Sequence, residues 1–60
     1  MYFKIVELGY FIDQINGVKL GMRGYVTGIR SKYGDHVLYE VDIVEYGYYL
    51  LWDWQIKEVM

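Results

Sequence analysis

Residues 36–44 read HVLYEVDIV, and apolar and polar positions alternate through most of this stretch. Val37, Tyr39, Val41 and Ile43 fall on one side, with His36, Leu38, Glu40 and Asp42 on the other. A period of two is the repeat of an extended strand, whose successive side chains point to opposite faces, so the first set is expected to face inward. The rest of the composition agrees. Val, Ile, Tyr, Phe, Trp and Thr fill 26 of the 60 positions, and neither Ala nor Pro occurs, a balance that favours pleated surfaces over helices. Seven glycines divide the chain into short runs. Many short strands in so small a chain suggest a closed sheet, because closure protects edges that would otherwise aggregate.

Working outward, SKYGD at Ser31 to Asp35 supplies turn residues. Before it, RGYVTGIR carries its apolar anchors Val26 and Ile29 three apart, which would put them on opposite faces. A bulge at Thr27-Gly28 would return both to the core, and glycine is the residue such a bulge tolerates best. The first segment predicts a strand from about Ile5 to Phe11, kinked at Gly9, then a loop through Asn16-Gly17 toward Gly21. Beyond residue 44, YGYYLL predicts a fourth strand, WDWQ a single helical turn and IKEV a short closing strand with Ile56 inward.

Sixty residues make one domain, and a domain of that size buries only about 60% of the surface its unfolded chain exposes. With no Cys for disulfides and one imidazole, His36, for a metal, the resource left is aromatic burial: eight Tyr, two Phe and two Trp. Oligomerisation is another route. The start, MYFKIVELGYFI, carries charges at Lys4 and Glu7 and has no small-residue cleavage site or long apolar run. The expectation is therefore a soluble, cytoplasmic chain with no membrane contact.

Charge is divided along the chain. Lys19, Arg23, Arg30 and Lys32 lie in a stretch without acids, whereas Asp35, Glu40, Asp42, Glu45, Asp53 and Glu58 face Lys57 alone. Facing strands could pair these charges, at about 0 to 1 kcal/mol per exposed pair, or they could form one basic and one acidic face.

The residues Gly21, Gly24, Val26, Ile29, Tyr39, Val41, Trp52, Ile56 and Val59 follow a G-x-x-G-x-V-x-x-I hairpin, a Y-x-V strand, an aromatic strand, a short turn and a final hydrophobic strand. Over roughly Val6 to Val59 this resembles the small SH3-like barrels common in bacterial phages and prophages, and more distantly KOW-type domains. The resemblance implies an all-β chain forming a single five-stranded SH3-like barrel over residues 1–60, with a short helical turn before the last strand. It also implies a small phage-type adaptor or inhibitor. The proline-peptide SH3 signature, an ALYDY-like stretch with a paired Trp on the following strand, is missing, so recognition of proline-rich ligands is not implied.

Catalysis finds little support. Nucleophilic chemistry needs an activated hydroxyl or thiol beside a base, and the chain offers Ser31, Thr27 and His36 around a surface hairpin with no water-excluded pocket. Glu40 and Asp42 share a strand face, but acid–base work requires an environment that separates their pKa values. Asp13, Asp35 and His36 lack metal-ligand spacing, and the glycines form no phosphate loop. The expectation is a non-catalytic module without cofactor or metal.

Binding fits better. Sixty residues cannot hide twelve aromatics together with the aliphatic set, and exposed Tyr and Trp are typical anchors of protein interfaces. The candidates for docking on a larger protein are Tyr46, Tyr48 or Tyr49, Leu38, and one of Trp52 and Trp54, bordered by the acids Glu40 and Asp53. The same rings could instead cover the barrel ends or form a homodimer contact. A second reading is nucleic-acid binding in the KOW manner, through Arg23, Arg30, Lys32, Tyr25 and Tyr33, against which stands an acidic pI of about 5.1.

Overall fold

A computed structural model describes residues 1–9 and 11–60. The chain is mostly β. In order it forms β1 (Tyr2–Ile5), a short helix α1 (Phe11–Ile15), β2 (Arg23–Tyr33), β3 (His36–Ile43), β4 (Gly47–Trp52), a 3-10 turn (Asp53–Gln55) and β5 (Ile56–Glu58). The five strands make one antiparallel sheet in the order β4-β3-β2-β1-β5.

The alternation in residues 36–44 sets the core. Val41 and Ile43 are fully buried with Phe3, Ile5, Val18 and Leu51, while Tyr39, Val26, Tyr49 and Ile56 pack against them. Burying each aliphatic or aromatic side chain contributes roughly 1.5 to 3 kcal/mol relative to leaving it in water. Phe3, Gly24 and Ile43 lie side by side across β1, β2 and β3. A Cβ on Gly24 would run into the Asp42 carbonyl and the Ile43 backbone, so the strands can approach this closely only at glycine.

Two connections are tight. Gly34 and Asp35 join β2 to β3, with Gly34 at a φ of 60°, the pattern of a II′ hairpin turn. Residues 44–46 join β3 to β4, where the Tyr46 N–H donates to the Ile43 carbonyl and Glu45 sits at a φ of 65°.

The ladder between β2 and β3 slips after Val26, as the spacing of Val26 and Ile29 requires, leaving Thr27 as the extra residue of a bulge. The bulge does not return Ile29 to the core. Ile29 is 54% exposed. Arg23, Gly24 and Tyr25 of β2 pair with β1 and the Val26 N–H donates to the Met1 carbonyl, so beyond Val26 the hairpin overhangs with β3 as its neighbour in the sheet. A second slip between Ile29 and Ser31 twists it further.

The expected strand from Ile5 to Phe11 is also corrected. β1 ends at Ile5, the chain leaves the sheet, and Phe11 opens α1; Tyr10, within the expected strand, lies outside the described residues. The cause is tertiary. Asp13 is buried and its carboxylate accepts from the Gly9 N–H (2.7 Å), Gln55 Nε2 (2.9 Å) and the Tyr49 hydroxyl (2.6 Å). A buried carboxylate needs such donors, and the helical turn at this point aims it at all three. Gln55 completes the arrangement, donating to the Glu7 carbonyl and accepting from the Trp52 N–H (3.0 Å).

Candidate functional site

The outer face of β3 and β4 is fixed by register: Leu38 lies opposite Trp52, Glu40 opposite Leu50 and Asp42 opposite Tyr48. Tyr33 lies opposite His36 on the neighbouring hairpin, so its ring reaches the same end of the face. The 3-10 turn then swings Trp54 alongside. Tyr33, His36, Trp52 and Trp54 line a cleft of about 250 Å3. The Tyr33 and Trp52 rings pack on each other, with centroids 5.4 Å apart and planes inclined at 60°. Trp54 is exposed and Trp52 half-buried, so the outward-facing indole is Trp54.

Asp53 pins this corner. Its Oδ1 lies 3.2 Å from His36 Nδ1 and its Oδ2 accepts from the Val37 N–H at 3.2 Å. Desolvation alone would raise the Asp53 pKa; the hydrogen bonds from His36 and the Val37 N–H, with the His36 charge, outweigh it and hold the carboxyl below its ordinary value.

Trp52 is also a wall of a larger cleft, about 400 Å3, shared with Ile12, Leu38 and Leu50. Its polar floor is the linked group Asp13, Tyr49 and Gln55. Burial and the hydrogen bond to Asp13 raise the Tyr49 pKa, because the phenol that donates to a carboxylate resists losing its proton. β4 is an edge strand of the sheet. Since the Trp52 N–H points to Gln55, away from β3, alternation leaves the backbone groups of Leu50 and Tyr48 on that same open side. Beside the cleft, α1 exposes Phe11 and Ile15, four residues apart on one face.

The remaining docking candidates are spread along the same sheet. The exposed Tyr48 hydroxyl donates to Glu40 Oε2 at 3.3 Å, and the Tyr46 hydroxyl donates to the Asn16 carbonyl. The nucleic-acid set divides. Tyr33 joins the Trp cleft, Arg30 lies 3.7 Å from Glu40, and Lys32 sits opposite Val37 on the other face of the hairpin. Arg23 and Tyr25 are elsewhere, in company that the sequence did not reveal. Lys4 lies opposite Arg23 on one side and Lys57 on the other, giving three cations in a row, and Tyr2 meets Tyr25 next to them at 4.8 Å. The ion pairs among the described residues are Arg30 with Glu40 and His36 with Asp53, so none of the three cations in the row is paired. Ile12, Leu50, Lys4, Lys57 and Tyr2 were legible as residue types; the register assigns the strand residues a site, and α1 brings Ile12 to the larger cleft.

No group of His, Cys, Asp or Glu suited to a metal occurs among the described residues. Comparison of the chain with family models, curated proteins and solved structures finds no match.

Proposed function

We propose that this chain is a non-catalytic binding module, an SH3-like barrel that docks on a larger protein as an adaptor or inhibitor. The hydrogen bonds from the Val6 and Glu7 N–H groups to the Gln55 carbonyl support closure, since they fasten the end of β1 to the turn that leaves β4. The observation that carries docking is the pair of clefts sharing Trp52, flanked by exposed Trp54, Tyr33, Phe11 and Ile15. Aromatic anchors beside concave apolar surface are what interface hot spots are made of. Affinity capture from a nuclease-treated host lysate, followed by titration of the captured protein, tests this. Trp54→Ala is expected to weaken the complex at least ~10-fold with the melting temperature unchanged, the loss of one hot-spot ring; undiminished affinity rules the docking reading out.

The row Arg23, Lys4 and Lys57 beside Tyr2 and Tyr25 favours a second reading, single-stranded nucleic acid with phosphates on the cations and bases on the rings. Its demand is specific: oligonucleotide affinity that falls steeply with salt, and a log–log salt slope reduced by about one in Arg23→Gln. Salt-independent affinity would end it.

A further inference from the structure

The two clefts differ in chemistry. The larger one sets the aliphatic Ile12, Leu38 and Leu50 beside Trp52 over a polar floor, whereas each described residue lining the smaller one, Tyr33, His36, Trp52 and Trp54, carries a π-system. The faces of Trp and Tyr rings are electron-rich and attract a cation placed within about 6 Å of the ring centroid. The Tyr33 and Trp52 rings pack on each other with centroids 5.4 Å apart, so a head group resting on the cleft side of the pair, rather than between them, can lie within that reach of both. Of the charges nearby, Asp53 and His36 are engaged with each other at the base of the corner. Asp35 stands exposed in the turn beside Tyr33 as the acid left there without an ion pair among the described residues, whereas Lys32 faces the other side of the hairpin and Arg30 is engaged by Glu40.

We propose that this cleft is a receptor for an organic cation, the head group of a lysine or arginine side chain projecting from the docked protein. The proposal rests on the docking reading and names the chemistry of its anchor. A neutral apolar side chain would be better served by the larger cleft, with its aliphatic walls. The cation gains from the ring faces and from the Asp35 carboxylate, and the guanidinium of arginine can also stack on an indole.

Trp52 and Trp54 are the only tryptophans, so intrinsic fluorescence reads the cleft directly. The protein is titrated with tetramethylammonium chloride, with neutral tert-butyl alcohol, which has the same tetrahedral arrangement of five heavy atoms, and with sodium chloride at matched ionic strength. Saturable change with the ammonium alone, preferred over the alcohol by roughly three- to thirty-fold, is expected. Trp54→Phe should retain that preference and Trp54→Leu, which keeps apolar bulk without a π-face, should lose it. Equal binding of the alcohol, or an unchanged preference in Trp54→Leu, overturns the proposal. If the ammonium fails while Trp54→Ala still weakens the captured complex, docking stands and the cation receptor falls. If the ammonium binds and no protein is captured, the cleft's preference for cations is shown, but the docking reading falls and takes the side chain of a docked protein with it.

Discussion

Asp13 is the residue on which the N-terminal third turns. Its carboxylate takes donors from Gly9, Tyr49 and Gln55, which lie 4, 36 and 42 residues away along the chain. Such a linked polar group is worth more intact than its parts suggest, because removing one member leaves another buried and unpaired. Tyr49 carries the pH consequence. Its folded pKa is raised, by burial and then by the bond to Asp13, so the fold favours the protonated phenol. The stabilisation is complete below the ordinary tyrosine value and is lost as pH rises through the folded one. Thermal melts across the alkaline range should show wild type losing stability relative to Tyr49→Phe above about pH 10. A constant difference between the two proteins would show that Tyr49 plays no part.

At the level of elements, the row Arg23, Lys4 and Lys57 sets three like charges across adjacent strands, spaced about 4.8 Å apart. Like charges directly opposite destabilise, and opposite ones contribute about 0.2 to 1 kcal/mol per pair. Lys4→Glu converts both contacts at once and should stabilise by about 1 kcal/mol, or roughly 4 to 8 °C in melting temperature. The gain should shrink in high salt, which screens exposed charges. The same row explains what could be read beforehand. Alternation in residues 36–44, the three-residue spacing of Val26 and Ile29, and the WDWQ turn are local signals, and the strand, the bulge and the 3-10 turn follow from them. Register between distant strands has no local signal, so the company of Lys4, the ring cluster around Tyr33 and the exposure of Ile29 were not legible. Helix α1 was hidden for the same reason: the residues that fix Asp13 come from β4 and the last turn.

Over the whole molecule, the strands fall into two kinds of pairing. β2, β3 and β4 follow one another through short turns, whereas β1 pairs with β5 from opposite ends of the chain. Local pairings cost little loop entropy and distant ones cost more, which governs the order in which contacts are worth making. The meander is expected to form the folding nucleus. Val41→Ala should therefore slow folding, while Ile56→Ala should mainly speed unfolding, as stopped-flow rates in denaturant would show. The reverse pattern would place the nucleus at the paired ends.

β1 is paired on both sides, to β2 through Tyr2, Phe3 and Lys4 and to β5 through Phe3, Lys4 and Ile5. In kinetic terms it is a clasp. With the meander as nucleus, it is expected to be the last part to lock and the first to release, and a partner that gripped its outer face would then lengthen the lifetime of the folded state without touching the core.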